Sequence, residues 1–448
     1  MNDRTLNMTE GRPLRLILSF AMPLMLGNVF QQLYTVVDTA IVGKALGVSA
    51  LAALGAADWL NWLMLGVIQG LTQGFGILMA QAFGAKSHDR LRSAIGAAGF
   101  LTVLCAGLLV LLGQTASRPV LELLNTPEDI LPGSLLYLRI MFGGIPIVLA
   151  YNLFAVILRS LGDGKTPLYA MILASFVNIG LDLLFVMVLP WGIAGAAAAT
   201  LIAQFCAAGY CLLRQRKMPM LRLSHQDFRP ELRLLTKLLT LGSPMALQNA
   251  IIAIGGMIIQ LVVNGFGVTF IAGMTASNKL YGILEVAALS YGYAMITYTG
   301  QNLGAGKHRR LRQGARTALG ISLVTSCIIA AVMLFFGRGI LSCFLSGTPQ
   351  EVAEAMEIAY GYLSVMSLCL PILYVLHVYR ACLQGLGNTV LPMVSGIAEF
   401  VMRTAAALSL PLVFGDTSIY FAEVLAWLGA DLVLVPSWLL LVRRLKEE

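Results

Sequence analysis

Charge is what this sequence has least of. Only 12% of its 448 residues are Asp, Glu, Lys or Arg, while 58% are apolar, against roughly 25% charged and 45–50% apolar in a soluble domain. With a mean hydropathy of +0.82, the chain carries too little charge to cover a soluble surface of its size. That excludes an ordinary cytosolic enzyme, a disordered chain and a coiled coil. Cysteine is sparse too. Cys105, Cys206, Cys211, Cys327, Cys343, Cys369 and Cys382 are odd in number, show no C-x-x-C spacing and fall mostly in apolar runs. No disulfide framework is expected, and core packing is the default role for all seven. Catalytic signatures are missing as well: there is no H-E-x-x-H and no G-x-S-x-G. Gly164-Lys165-Thr166 ends like a phosphate-binding loop but has Arg159 where that loop needs glycine. No enzyme activity, no cofactor and no ATP-driven step on this chain alone are expected, which leaves an ion gradient as the energy source.

What is present in quantity is long apolar runs. A membrane-crossing helix needs about 20 such residues. Twelve runs qualify: Leu14–Val42, Asp58–Gln81, Ser93–Leu112, Gly133–Leu158, Pro167–Leu189, Trp191–Leu213, Leu234–Gly265, Ala276–Gln301, Gly314–Phe336, Ile358–Leu383, Val390–Phe414 and Tyr420–Val442. The bilayer admits only helices and closed barrels, and these runs are far longer than the roughly 10-residue strands of a barrel. The first is too long for a cleavable signal and lacks a small-residue end. The expected fold is an all-α polytopic membrane protein of twelve transmembrane helices.

The net charge of +8 reflects topology. Of the 30 Lys and Arg, 24 fall on one side when loops are alternated, Arg380 counted among them. The other side holds Lys44, Arg118, Lys279 and Arg338, and Arg139 and Arg403 fall within spans. Both termini are therefore expected in the cytoplasm, on a multi-pass protein of the plasma (inner) membrane. Because the basic loops alternate with the helices, nucleic-acid binding is not expected.

The chain repeats itself. Residues 81–92 read QAFGAKSHDRLR and residues 301–312 read QNLGAGKHRRLR, with seven of twelve positions identical at an offset of 220. Gly47-Val48 matches Gly267-Val268, Pro23 and Asn28 match Pro244 and Asn249, and Leu161-Gly162-Asp163 with Pro167 resembles Leu386-Gly387-Asn388 with Pro392. Each copy holds six spans, an even number, so both enter the membrane the same way round and form a parallel repeat. The expected organisation is an N-terminal lobe, 1–220, and a C-terminal lobe, 221–448. Such a pair of lobes suits an alternating-access transporter; a duplicated channel or scaffold is the competing reading.

Ionisable residues inside spans cost roughly 2.5–3.5 kcal/mol on insertion scales and are functional candidates by default. Asp38 lies towards the far end of span 1 and Asp182 near the middle of span 5, with Asn178 four residues before it on the same face. Thr200 and Gln204 are four apart on span 6. Burial without a cation favours the neutral form of a carboxyl, and a second carboxylate nearby adds to this. A proton-binding switch is therefore reasonable. The same oxygens, from Asp38, Asp182, Asn178 and Thr200, also suit Na⁺, and a purely structural staple remains open. At the equivalent repeat positions stand Ile259 and Ala407, so coupling is expected in the N-terminal lobe alone.

Span 8 carries Glu285 with Asn278 and Tyr281 on its face, a site for a cationic substrate, a second ion or a pairing partner. Glu399 and Arg403, four apart on span 11, are expected to neutralise each other. His377 and Arg380 on span 10 are expected to face a cavity, and Glu423 and Asp431 to lie nearer ends or interfaces. Gly66, Gly70 and Gly74 allow close helix packing, with Gln69 and Gln73 beside them as cavity-lining candidates. Pro23, Pro146, Pro244 and Pro371 are candidate bends. The 20 methionines suit an adaptable apolar cavity, although core filling accounts for most of them.

Taken together, the segment Pro23 to Gly43 with Gln31-Gln32 and Asp38, the stretch Arg159-Ser160-Leu161-Gly162-Asp163 before Thr166-Pro167, the repeated motifs after spans 2 and 8, and the Asn178/Asp182 pair resemble the MATE (multidrug and toxic compound extrusion) transporters. The similarity is strongest to the prokaryotic DinF-like branch. The resemblance implies secondary active export of organic, often cationic or amphipathic compounds by H⁺ or Na⁺ antiport. It assigns the residues matching Asp38 and Asp182 to an N-lobe cation or proton site, accompanied by Asn178 and Thr200. Tyr34, Tyr137 and Asn152 are implied as lining residues, and Gln204, Tyr281 and Glu285 are further cavity candidates. The branch with carboxylates on spans 7 and 10 matches poorly. Partners implied are small organic molecules and membrane lipid, with the chain acting as a monomer. The alternative is a lipid-linked precursor flippase of the same wider superfamily, which typically has fourteen spans and a strongly basic cavity.

Overall fold

A computed structural model describes residues 5–124, 126–224, 227, 231–345 and 348–444. Arg4, Arg229 and Lys446 of the basic set lie outside the described residues. Numbered as the spans, the helices are α1 (Pro13–Gly47), α2 (Ser49–Gly84), α3 (His88–Leu123), α4 (Leu131–Gly143 and Ile145–Ser160), α5 (Lys165–Val188) and α6 (Gly192–Arg216). The second set is α7 (Leu232–Phe266), α8 (Val268–Gly304), α9 (His308–Leu341), α10 (Pro349–Leu368 and Leu370–Gly385), α11 (Val390–Phe414) and α12 (Asp416–Arg443). Ten cross singly by length and composition, and the two bent pairs, α4 and α10, bring the number to twelve.

Most helices overrun the apolar run that located them: α9 has 34 residues and α2 begins at Ser49. Composition locates the hydrocarbon-spanning part, but a helix continues into the polar zone because its backbone hydrogen bonds stay satisfied there. Phe335 is 83% and Leu412 86% exposed, and with similar residues on other helices they form apolar surface too extensive for water.

The bends repeat with the sequence. α4 and α10 each turn by 49°, where Pro146 and Pro371 open the second piece and lack the N–H that would continue the ladder. Pro23 and Pro244 lie inside α1 and α7, which run on through them. The breaks after α1 and α7 fall at Gly47 (φ 82°) and Gly267 (φ 97°), the left-handed region where a Cβ is penalised and glycine is not.

Two compact units result. One holds Met22–Ala246 and the leading segment up to Asn7; the other holds Met8–Ala21 and everything from Leu247 on. These limits differ from a cut in the basic loop at 220/221, and the contacts explain why. The start of α7 packs on α2 so tightly that a Cβ on Gly74 would lie 2.4 Å from Gly242 Cα, and one on Gly70 2.5 Å from Ala246 Cα. Leu238 shares a buried cluster with Phe75 and Met79. Close packing is thus the observed role of Gly70 and Gly74.

Met8, fully buried, is clasped by the second copy of the repeated motif. Its N–H donates to Gln301 Oε1 (2.8 Å) and its carbonyl accepts from Asn302 Nδ2 (3.1 Å) and Arg310 Nη2 (3.2 Å); Lys307 Nζ donates to the Thr9 carbonyl (2.9 Å). Gly74→Leu is expected to lower the thermal midpoint of the purified protein, because overpacking costs about 1–3 kcal/mol even where neighbours yield. Gly55→Leu, where a Cβ meets nothing within 4 Å, serves as the neutral control.

The cysteine expectation is corrected in part. Cys211 and Cys382 are buried, but Cys327 and Cys343 are exposed. A small apolar side chain is as acceptable facing lipid as facing the core, so sequence does not separate the two.

Candidate functional site

In the first unit, Asp182 is the last α-helical residue of α5, and the chain continues as a π-helical turn, Leu183–Val188, a distortion common at functional sites. Asp182 is fully buried and Asn178, one turn earlier, is 1% exposed. Asp38, half-buried on α1, brings its carboxyl within side-chain hydrogen-bonding reach of Asp182. Even so, Asp38 Oδ1 and both carboxyl oxygens of Asp182 are buried with no donor among the described residues. Ionised carboxylates only accept, so a doubly ionised pair would leave these oxygens without a hydrogen bond to each other.

The neighbours do not supply one. Asn178 Nδ2 donates to Thr200 Oγ1 at 3.5 Å and the Thr200 hydroxyl donates to the Ala196 carbonyl at 3.1 Å. That leaves Asn178 Oδ1 as a further unpartnered oxygen. Gln204 Oε1, one turn along α6, is buried and unpartnered too. Tyr34 lies near Thr35 and Gln31 and within electrostatic range of both aspartates. Tyr137 of α4 lies within range of Asp58, Asp38, Tyr34 and Asp182.

The structure therefore brings together Asp38, Asp182, Asn178, Thr200, Tyr34 and Tyr137. It does not join Gln69, Gln73 or Asn152 to them: the two glutamines are half-buried on α2, and Asn152 Nδ2 donates to the Val148 carbonyl (2.9 Å). Asp58 was missed because its charge marked the start of span 2. The apolar stretch running into it from Leu51 was the available signal. Asp163, part of a quoted motif, has a structural role: its carboxylate accepts from the Thr166 N–H (2.9 Å) and hydroxyl (2.5 Å) at the start of α5, where the first N–H groups of a helix have no partner within it.

The second unit holds a charged ladder. Arg380 of α10 donates to Glu399 of α11 (2.7 Å), Arg403 donates to the other Glu399 oxygen (2.8 Å), and Arg403 also reaches Glu423 of α12 (2.7 Å). Arg380 is thus 9% exposed inside the helices rather than in a loop, and Glu423, in the first turn of its helix, pairs across a helix interface. Sequence spacing exposed only the Glu399/Arg403 link, because the others join different helices. Glu285 stands beside the ladder with His377 Nε2 3.7 Å away, and Tyr281 stacks on Trp427 with ring centroids 6.3 Å apart.

The MatE family model matches the chain twice, over residues 23–184 and 244–408. A probable multidrug resistance protein of Bacillus subtilis (strain 168), YpnP, is 32% identical over 397 residues, 88% of this chain and 87% of the relative. Another from the same organism, YoeA, is 31% identical over 342 residues, 74% and 73% respectively. A crystal structure of MATE in complex with MaL6 superposes with a TM-score of 0.92 at 21% identity, covering 100% of each chain, and shares the fold.

Proposed function

The chain belongs to the MATE family of membrane transporters, and from that premise we propose that it is a secondary multidrug antiporter, exporting organic, often cationic compounds in exchange for H⁺ or Na⁺. One observation carries the reading: the Asp38–Asp182 pair, two neighbouring carboxyl groups of which three oxygens are buried with no donor among the described residues. Such a pair is unstable doubly ionised in a buried setting. It is satisfied either by one proton shared across the gap or by a monovalent cation held by the same oxygens together with Asn178 Oδ1, a hard-oxygen set suited to Na⁺. The ion is cargo that enters and leaves, and a carrier gains work from it only if its two access states differ in affinity for it. Discharging the pair on one side and recharging it on the other supplies that difference.

The names of the curated relatives as multidrug resistance proteins support organic compounds as substrates. The flippase alternative needs a free basic surface, and two of the arginines inside spans, Arg380 and Arg403, are paired with carboxylates. The cytoplasmic placement of both termini belongs to the same proposal and rests on the distribution of Lys and Arg.

The test is efflux of a panel of cationic dyes from proteoliposomes under an imposed H⁺ gradient or an imposed Na⁺ gradient, each alone. Efflux driven by one of them is expected. Dye movement that follows neither gradient would refute the antiport reading.

A further inference from the structure

Lys and Arg are scarce at the end of the first unit opposite its repeated basic motif, yet two arginines meet there at one seam. Gln114 Nε2 of α3 donates to the Arg139 carbonyl of α4 at 2.7 Å, which fixes the two helices in level. Gln114 follows closely on the apolar run that ends at Leu112. Arg139, although inside the apolar run of span 4, therefore stands at the polar edge of the membrane-crossing zone. Leu138 and Phe142 beside it turn inwards, while Arg139 itself is exposed. Its guanidinium has neither hydrogen bond nor ion pair among the described residues.

Arg118 lies one turn beyond Gln114 on the same face of α3. Its side chain is 65% exposed and gives its Nε to Glu122 of its own helix at 2.7 Å. Helical side chains lean towards the N-terminus of their helix, and the consecutive spans α3 and α4 run in opposite directions. Arg118 thus leans towards the level of Gln114, and Arg139 leans from that level towards Arg118. Two guanidinium groups converge on one outward-facing groove beside a single carboxylate, which leaves one positive charge in excess. On the membrane side of them the surface is apolar. Leu111, Leu108 and Leu104 continue the stripe along α3 in steps of three or four residues, each more than half exposed.

The internal repeat supplies the comparison. Arg338 of α9 stands where Arg118 does, at the offset of 220. There the cation is used within the unit: Arg338 pairs with Glu357 of α10 at 3.0 Å and lies over the Tyr360 ring, 4.6 Å from its centroid. Aligning the break before Ile145 with the break before Leu370 puts Pro132 in the place of Glu357 and Arg139 in the place of Ser364. The first unit has therefore lost the acid across the seam and gained a second cation. A seam built only for helix packing needs neither change.

We propose that the α3–α4 seam of the first unit binds an anionic phospholipid, its phosphate between Arg118 and Arg139 and its acyl chains along Leu111, Leu108 and Leu104. The planar guanidinium fork suits phosphate oxygens, and the exposed leucines suit hydrocarbon. An anionic head group cancels the one excess charge, whereas a zwitterionic one brings its own cation and leaves it uncancelled. With the orientation drawn from the distribution of Lys and Arg, the lipid belongs to the outer leaflet.

The experiment is native mass spectrometry of the purified full-length protein, loaded in turn with phosphatidylglycerol, phosphatidylcholine and glycerol phosphate, which lacks acyl chains. One phosphatidylglycerol is expected to be retained in preference to phosphatidylcholine. Its binding is expected to weaken about tenfold in Arg139→Gln and in Arg118→Gln, the size of one charge-assisted hydrogen bond. Arg338→Gln is expected to bind as the wild type does. Glu122→Gln, which frees Arg118, is expected to bind more tightly, a gain that a folding defect does not imitate. Wild-type retention in the Arg118→Gln/Arg139→Gln double variant would overturn the site, as would equal retention of phosphatidylcholine. Binding of glycerol phosphate as tight as that of the lipid would make the seam a free-phosphate site and overturn lipid docking. None of these readouts involves transport, so they stand apart from the test of antiport.

Discussion

Asp38→Asn is expected to reduce gradient-driven dye efflux to the level of protein-free vesicles while the protein remains folded and inserted. The amide is nearly isosteric and brings its own N–H donors, so the substituted side chain satisfies the facing carboxylate of Asp182 permanently. The variant is thereby held in a form equivalent to the ion-loaded pair and cannot discharge. Because Asp38 Oδ1 and both Asp182 oxygens are buried with no donor among the described residues, the substitution removes an unfavourable contact. The thermal midpoint of Asp38→Asn is expected to equal or exceed that of the wild type at alkaline pH, where the unprotonated pair costs most. Asp182→Asn is expected to behave in the same way, and the double variant to be no more defective than either single one, because one function is lost only once. Efflux at the wild-type rate in Asp38→Asn would remove the pair from the coupling step.

Arg403→Leu is expected to have the largest effect on stability. Arg403 is 4% exposed and donates to both Glu399 and Glu423. Removing it strands Glu423 and leaves Glu399 with Arg380 alone. Breaking a buried pair from one side costs about 3–5 kcal/mol, comparable to much of the stability of an ordinary domain. Arg403→Lys is expected to rescue little, because an ammonium lacks the planar fork that spans two carboxylates. Thermal unfolding in detergent reads both. A quadruple variant replacing Arg380, Glu399, Arg403 and Glu423 by apolar residues of similar volume is expected to be more stable than Arg403→Leu, since it leaves no stranded charge. An unchanged midpoint in Arg403→Leu would show that the ladder contributes nothing to folding.

These two predictions mark how far the chemistry was legible from the chain. Asp38 and Asp182 stood out because charge is scarce and each sits in an apolar run without an adjacent cation. Asn178 followed from helical spacing. Glu399 and Arg403 were readable as a pair for the same reason. Asp58, Arg380 and Glu423 were not: each stands where composition suggests a helix end or a loop, and only the structure places Asp58 within a longer helix and pairs Arg380 and Glu423 across helices.

By itself, the sequence determined that the chain is a membrane protein, that it is all-helical with about twelve crossings, and that it is built twice from one six-helix pattern. Hydropathy sets crossings through the cost of burying polar groups in lipid, and the repeated motif reports the duplication directly. Tertiary structure alone decided which polar atoms meet. The pairing of Asp38 with Asp182, the four-residue ladder, the approach of His377 to Glu285 and the assignment of the start of α7 to the first unit all join residues far apart in the chain. Helix rotation and packing set those contacts, and in lipid neither follows from apolarity, because a side chain facing the core and one facing the bilayer have the same composition.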